Sequence, residues 1–219
     1  MNKYQFVTAV HGNEPMPTLA LASVGITQII GNPRALARGV RYVDRDLNAS
    51  FGMRGSSYEE ERARELSKLL APAKLVVDLH TFPCQSDPFA IVVDLAMLQL
   101  ATRLGLKHVV YMKYNIKGGH ALINHHRGVS VEVGQHTDPR SFETTIKLIT
   151  NLREETSKND KTRVYEVYGK IEEPGQYANF VKIDGMVPVL YGEETYRDYG
   201  CYGLAAREIT GTIGKQENL

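Results

Sequence analysis

The chain is poor in cysteine and carries almost no net charge, and both shortages exclude classes of protein. Its two cysteines, Cys84 and Cys201, lie far apart and outside any CxxC arrangement. The sequence therefore predicts neither a disulfide framework nor a zinc site made of thiolates. Lys and Arg number 26 against 25 for Asp and Glu, which gives no electrostatic footprint for DNA, RNA or an anionic membrane surface. We therefore expect no nucleic-acid partner.

Long hydrophobic runs are missing as well. The apolar stretches around Leu75–Val77 and Ile91–Val93 fall far short of the roughly 20 residues that a membrane helix needs. The first ten residues resemble a strand and lack the apolar run and small-residue cleavage site of a signal peptide. We therefore expect a soluble protein in the cytoplasm with no membrane partner.

Strand and helix patterns alternate over most of the chain. Apolar, β-branched runs predict strands at Tyr4–Val10, Ile26–Ile30, Lys74–Leu79, Phe89–Val93, His108–Met112 and Gly128–Val133. Capping signals and helical spacing predict helices at Met16–Ser23, from the capping boxes in Ser56–Glu60 to about Leu70, from Asp94 to about Leu104, and at Ser141–Thr156. This alternation predicts an α/β, three-layer domain with a largely parallel sheet.

The composition changes at the charged stretch Glu154–Arg163. Downstream of it, helical periodicity gives way to short runs punctuated by glycine and proline. Strands are predicted there at Arg163–Ile171, Phe180–Ile183, Val187–Tyr191 and Gly203–Thr210. We therefore predict a catalytic domain over residues 1–158 and a small antiparallel β appendage over residues 159–219.

The segment His11-Gly-Asn-Glu14 follows the first predicted strand. Ligands of open α/β sheets gather outside the carboxyl ends of strands, so this position suits a site. A histidine and a carboxylate separated by a tight turn can both reach one zinc ion, which accepts imidazole and carboxylate ligands. An exposed polar turn explains the same residues without any metal.

Asp78-Leu-His80 ends the apolar strand at Lys74–Leu79. Strand side chains alternate, so Asp78 and His80 point to the same face, and the aspartate can orient or neutralise the site while His80 binds the metal. The alternative is a structural histidine that is satisfied by a buried aspartate. A carboxylate at the end of a buried strand is costly without a partner, so the pair needs one of these explanations.

Glu132 is the one charge within the apolar strand Val129–Val133. Such a residue either forms an ion pair or does chemistry. Beside a metal, it can take a proton from a bound water as general base and deliver it to a leaving nitrogen. Arg41 and Asn48 lie in a segment without helical period, where arginine suits an oxyanion and asparagine a polar group of a substrate, or both are solvated loop residues.

The chemistry-bearing motifs occur in a recognisable order: HGNE at 11–14, NPRA at 32–35, Arg41 with DLN at 46–48, DLH at 78–80 and EVG at 132–134. Together they resemble the succinylglutamate desuccinylase/aspartoacylase family of the zinc carboxypeptidase superfamily. The resemblance covers residues 5 to 135, and Tyr177–Tyr196 is more loosely similar to the family's C-terminal β domain. It implies a three-layer α/β/α domain with a mixed, largely parallel sheet, followed by a small antiparallel β domain.

The resemblance also implies a set of roles. His11, Glu14 and His80 would hold one zinc ion, with water at the fourth position. Glu132 would serve as general base and acid. These residues would form the catalytic centre of a linear amide hydrolase.

Further roles implied by the family concern the substrate. Arg41 would polarise the amide carbonyl, and Asn48 would bind the substrate. Tyr196 would reach over the pocket from the β domain, with Tyr199 and Tyr202 as alternatives.

One position departs from the family pattern. The family usually reads Asp-Leu-Asn-Arg, with the arginine gripping a substrate carboxylate, whereas this chain has Ala49 after Asp46-Leu-Asn48. An acylated aspartate or succinylated glutamate is therefore not assumed as substrate. Three arginines could substitute, namely Arg45, Arg54 and Arg127, and Arg127 is our candidate for substrate binding.

The leading hypothesis is a zinc-dependent deacylase that hydrolyses an N-acyl amino acid or a similar small amide. A carboxypeptidase acting on peptides or cell-wall fragments is the alternative enzyme. A metal-binding or ligand-binding module without turnover is the alternative outside catalysis. The expected partner is a small-molecule amide, and a homo-oligomer is possible on these grounds.

Overall fold

The computed structural model describes residues 3–84, 86–154 and 162–209, and its strands form one sheet. The strands are β1 Tyr4–Thr8, β2 Gln28–Ile30, β3 Leu75–Phe82, β4 Phe89–Val92, β5 His108–Tyr111, β6 Gly128–Gln135, β7 Arg163–Ile171, β8 Val187–Val189 and β9 Gly203–Ile209. The α-helices are α1 Met16–Ser23, α2 Pro33–Arg38, α3 Tyr58–Leu70, α4 Leu98–Arg103, α5 Leu122–His125 and α6 Arg140–Glu154. Short 3-10 turns cover Leu47–Ala49, Leu95–Met97 and Glu194–Tyr199.

The sheet has the order β2-β1-β3-β6-β4-β5-β7-β9-β8. Parallel pairing joins β2, β1, β3 and β6 at one side, and β4, β5 and β7 at the other. Antiparallel pairing joins β4 to β6, and β9 to both β7 and β8. The predicted mixed, largely parallel sheet of an α/β fold is confirmed.

The central strand β3 is buried at every residue, as its apolar sequence predicts for a strand covered on both faces. Its odd-numbered residues Leu75, Val77 and Leu79 belong to one buried cluster with apolar residues of α1, α4 and α6, such as Leu21 and Leu148. Its even-numbered residues face α3 and α5, where Val76 packs with Leu66. Helices therefore cover both faces of the sheet, and Asp78 and His80 share the α3 and α5 face because strand side chains alternate.

Most predicted elements are present with ends shifted by no more than four residues, and the bounds of α1 and β7 are as predicted. The capping box of α3 uses Ser57, whose side chain accepts from the Glu60 backbone, while the Glu60 carboxylate accepts from Ser57. The strand predicted at Phe180–Ile183 is wrong, since this segment makes one isolated bridge, Ile183 with Met186. Phe180 has a left-handed backbone conformation (φ 67°), and its ring stacks on that of His108 with 4.1 Å between the ring centroids. Phe180 is therefore held by side-chain packing and not by strand pairing.

The C-terminal strands are antiparallel to one another, as predicted. They do not form a separate sheet, because β7 pairs in parallel with β5 and extends the main sheet. The predicted boundary at 158, and the predicted ends at Thr156 and Thr210, lie outside the described residues. Within the described ranges, no helix is both long and apolar enough to cross a membrane.

Candidate metal centre and active site

Three neighbouring parallel strands, β1, β3 and β6, bring the predicted residues to one edge of the sheet. His80 of β3 and Glu132 of β6 are directly paired across the ladder, so their side chains project to the same face. The register shifts immediately after His80, between it and Phe82, which is the kind of irregularity that re-aims side chains at a site. His11 and Glu14 follow β1, the neighbour of β3 on its other side.

The loop after β1 needs glycine because the backbone of α2 passes over it. A Cβ on Gly12 would lie 2.1 Å from the carbonyl carbon of Ala35, closer than any real contact. The Gly12 backbone N–H donates to the Arg41 carbonyl at 3.1 Å, and that of Glu14 donates to the His11 carbonyl at 3.2 Å. This tight turn places His11 and Glu14 on one side of the loop.

His11, Glu14 and His80 converge in the interior. Their candidate ligand atoms all lie within 4.8 Å of one another, and each residue is 4% exposed or less. Nδ1 of His11 lies 2.7 Å from Glu14 Oε1, and Nδ1 of His80 lies 3.2 Å from Glu14 Oε2. Burial would raise the pKa of Glu14, but the charges and hydrogen bonds of the two histidines hold that pKa well below its usual range. The predicted ligands are therefore gathered around one point.

A carboxylate holds the second nitrogen of each ring. His80 Nε2 lies 2.7 Å from Asp78 Oδ2, which also accepts from Ser130 Oγ at 3.0 Å, and His11 Nε2 lies 3.1 Å from Asp46 Oδ1. Such outer carboxylates fix the tautomer and orientation of histidines that bind metal. Two imidazoles and one carboxylate, with each imidazole oriented by a second carboxylate, are a donor set that fits zinc. Asp78 was predicted in this position, whereas Asp46 was only noted as part of the DLN motif.

Glu132 adjoins this cluster but has no partner for one of its oxygens. Its Oε2 is buried and makes no hydrogen bond within the described part of the chain. Burial raises the pKa of Glu132 well above its usual range. The nearby negative charges of Glu14 and Glu193 raise this pKa further, whereas the positive charges of His80 and Arg41 lower it. A buried carboxylate oxygen without a partner is costly, which points to a water or a substrate group as its missing partner.

Arg41 sits among three carboxylates. Its guanidinium nitrogens lie 3.7 Å from Glu14 Oε1, 3.6 Å from Asp46 Oδ2 and 3.7 Å from Glu193 Oε1. Burial would lower the pKa of Arg41, but Asp46, Glu193, Glu14 and Glu132 raise it above its ordinary value. Sequence reasoning missed Glu193, since it lies 152 positions after Arg41 in a segment without a metal-like pattern.

A pocket of about 680 Å³, measured with the open space at its mouth, holds the three candidate ligands, Glu132 and Arg41. Asn48 and Tyr196 also line it, whereas Tyr199 and Tyr202 do not. The Asn48 side-chain oxygen accepts from the Leu122 backbone at 2.9 Å. Burial raises the pKa of Tyr196 well above its usual range, with Glu193 and Glu132 adding to the effect, so its hydroxyl stays protonated.

The arginines proposed to replace the residue at position 49 do not reach the pocket. Arg127 is exposed, directly precedes β6 and does not line the pocket, whereas Glu132 of the same strand does. Arg45 pairs with Glu60 at 2.9 Å and Arg54 is exposed. The pocket-lining cations are instead Arg41 and Lys117.

A buried set of two imidazoles and a carboxylate, on the carboxyl edge of a largely parallel sheet, defines a candidate metal centre on an α/β scaffold. The family model described as "Succinylglutamate desuccinylase/Aspartoacylase catalytic domain" matches residues 3–155. The chain therefore belongs to this family.

Relatives and solved structures agree with this assignment. A "Probable aspartoacylase" of Prochlorococcus marinus (strain AS9601) is 28% identical over 186 residues, covering 69% of this chain and 62% of that protein, so the match spans about three fifths of the relative. An "N-acyl-aromatic-L-amino acid amidohydrolase (carboxylate-forming)" of Xenopus tropicalis is 42% identical over 64 residues, covering 24% of this chain and 21% of the relative.

Two solved structures share the fold. The succinylglutamate desuccinylase of Chromobacterium violaceum has a TM-score of 0.69 at 18% identity, covering 95% of this chain and 85% of that one. Murine aminoacylase 3 has a TM-score of 0.69 at 17% identity, covering 94% of this chain and 95% of that one.

Proposed function

We propose that this protein is a zinc-dependent hydrolase that cleaves the amide bond of an N-acyl amino acid or a similar small amide. The observation that carries the proposal is the unpartnered oxygen of Glu132 beside the His11, Glu14 and His80 cluster in one pocket. Membership of the desuccinylase and aspartoacylase family supports a deacylase. The names of the relatives, which refer to aspartoacylase and to an amidohydrolase of acylated amino acids, support the same substrate class.

His11, Glu14 and His80 would hold the zinc ion through the atoms that converge in the pocket. Bound zinc would supply a Lewis acid that makes water acidic near neutral pH and polarises a carbonyl. Glu132 takes a proton from the attacking water and returns it to the leaving nitrogen. The unpartnered Oε2 of Glu132 is the atom available to hold the proton between the two steps.

The remaining polar residues act on the substrate. Arg41 stabilises the charge that develops on the carbonyl oxygen, and its raised pKa keeps it cationic throughout. Asn48 and Tyr196 supply hydrogen-bonding groups at the pocket wall. The cytoplasmic location and the possible homo-oligomer stay predictions from the sequence.

The function is tested by metal analysis together with a substrate panel. Protein purified without added zinc is expected to carry about one metal equivalent, as a three-ligand catalytic site implies. It should hydrolyse N-acyl amino acids more efficiently than short peptides, and a chelator should abolish the activity until zinc is restored. Faster cleavage of peptides would favour the carboxypeptidase alternative. Metal binding without turnover of any amide would favour a binding module.

Asp78→Asn is expected to weaken zinc binding by about 10- to 100-fold, because a carboxylate that hydrogen-bonds a metal-binding histidine contributes this much to the affinity of such sites. The reason is the 2.7 Å contact of Asp78 Oδ2 with His80 Nε2, which an amide nitrogen in that place would disrupt. Competition of the purified variant with a zinc indicator measures the change. Ser130→Ala is the control, since it removes the 3.0 Å hydrogen bond to Asp78 but leaves the charge of Asp78 in place. It should weaken zinc binding less than Asp78→Asn does. Equal zinc affinities of Asp78→Asn and the wild type would contradict this role.

A further inference from the structure

The pocket has two chemically different sides, and the proposed reaction uses only one of them. The polar side carries the candidate metal ligands, Glu132 and Arg41. The rest is mostly aliphatic and comes from β4, the end of β5 and the region around α5, where the amides of Asn115 and Asn124 interrupt it. Its main residues are Ile91, Val93, Met112, Ile116 and Ile123.

The change of character follows from the order of the strands. Because β4 is the antiparallel neighbour of β6, Ile91 is paired with Ser130, which is paired in turn with Asp78 of β3. Paired residues project to the same face of a sheet, so Ile91 continues the row of Asp78 and Ser130. Val93 is two positions further along and shares that face. The same surface therefore turns from polar to aliphatic between β6 and β4.

The aliphatic side is open to the pocket rather than sealed by protein. Ile91 and Val93 are only half-buried, although neighbouring strands flank β4 on both sides. Ile123 of α5 and Met112, just after β5, complete this wall and are largely buried. Apolar surface left uncovered inside a pocket is a surface for an apolar ligand group.

Carboxylates lie beside both cations of the pocket, and the proposed reaction uses Arg41 for the carbonyl oxygen of the amide. Lys117 Nζ lies 3.0 Å from Asp46 Oδ2, and Arg41 lies among Glu14, Asp46 and Glu193. Among the described residues that line the pocket, these are the only Lys and Arg side chains. Position 49 holds alanine. A second carboxylate on the substrate would face aliphatic side chains, neutral amides or other carboxylates, and no cation without a carboxylate beside it, which disfavours its desolvation.

We infer that the pocket selects N-acyl amino acids that carry a single carboxylate. The part of the substrate that lies against β4 and β5 is then an uncharged, aliphatic group. Dicarboxylic substrates, such as acylated aspartate or succinylated glutamate, are selected against. The turnover assay for this inference rests on the proposed function, whereas the binding assay does not.

Binding is measured by calorimetry of the zinc-supplemented protein with hexanoate and with adipate, which have the same chain length and differ by one carboxylate. Hexanoate is expected to bind about tenfold more tightly or better, with the negative heat-capacity change of apolar burial. Equal or tighter binding of adipate would overturn the inference, whatever the turnover assay shows.

Turnover is compared in two pairs of similar size, N-acetyl-L-leucine with N-acetyl-L-aspartate and N-hexanoylglycine with N-adipoylglycine. We expect kcat/KM to favour the monocarboxylic member of at least one pair by about tenfold or more, and the dicarboxylic member of neither. A preference for either dicarboxylic substrate, or no preference in both pairs, would overturn the inference while leaving a hydrolase. Failure to cleave any of the four would refute the proposed function, and calorimetry would still decide the selectivity.

A matched pair of variants locates the selectivity. Val93→Thr keeps the shape of the side chain but adds a hydroxyl to the aliphatic wall, and it should lower the ratio of hexanoate to adipate affinity about threefold or more. Val181→Thr makes the same change at a residue that is 58% exposed and outside the pocket, and it should leave the ratio unchanged. An unchanged ratio in folded Val93→Thr would refute the assignment of this wall.

Discussion

Glu132→Gln is expected to lower kcat by about 10²- to 10⁴-fold, the usual contribution of a general acid or base, while the protein still binds a full equivalent of zinc. The amide has nearly the same shape as the carboxylate and cannot accept the proton of the attacking water. The three candidate ligands do not include residue 132, so their arrangement should persist. Rates with an N-acyl amino acid and the zinc content of the same preparation are measured side by side.

The control for this variant is Glu143→Gln, which makes the same change on an exposed residue in the first turn of α6. It should match the wild type in rate and zinc content. The buried Oε2 of Glu132 has no hydrogen-bond partner in the described structure, so an amide there should cost little stability or even raise it. A Glu132→Gln variant that keeps its rate would mean that another group moves the proton.

The position of the candidate metal site could be predicted from the sequence because its signals are local. The run Lys74–Leu79 is so apolar that it must be a buried strand, and ligands gather at the carboxyl ends of such strands. Alternation then puts Asp78 and His80 on one face, as observed. The roles of these residues remain proposals, but their meeting point follows from strand geometry.

The neighbours of the site could not be predicted in the same way. Nothing in the residues of β4 shows that it would pair antiparallel with β6, so the aliphatic wall beginning at Ile91 was not foreseen. Glu193 reaches Arg41 from the far end of the chain, and Lys117 reaches Asp46 from a glycine-rich loop. Contacts of this kind depend on tertiary packing, for which a single sequence carries no periodic signal.

The same limit explains the error at Phe180–Ile183. Its alternating apolar residues resemble a strand, but the left-handed backbone of Phe180 and the stacking of its ring on His108 hold it in an irregular conformation. Arg127 illustrates the converse. It was proposed to replace the missing arginine at position 49, but it is exposed and does not line the pocket, although Glu132 of the following strand does.

His80→Ala is expected to abolish both zinc binding and turnover. Groups that only hydrogen-bond a ligand contribute about 10- to 100-fold to metal affinity, so loss of the ligand itself should cost at least about 100-fold. The variant also leaves Asp78 buried without the imidazole that faces it at 2.7 Å, and an unsatisfied buried polar group costs about 1–3 kcal/mol. Zinc content, hydrolysis rate and urea unfolding of the metal-free protein are the three measurements.

Comparison of four variants separates loss of the metal from loss of the fold. The double variant Asp78→Asn/His80→Ala removes the buried charge of Asp78 that His80→Ala leaves without its imidazole partner. It should regain part of the stability that His80→Ala loses, without regaining zinc binding or activity. His125→Ala removes an exposed imidazole outside the pocket and should retain zinc binding and activity. We expect Glu132→Gln to bind zinc without turnover, and folded His80→Ala to show neither zinc binding nor turnover. Only a metal-assisted reaction with a separate base produces this pattern. Full zinc affinity in His80→Ala would remove this histidine from the ligand set, and with it the argument that β3 supplies the metal site.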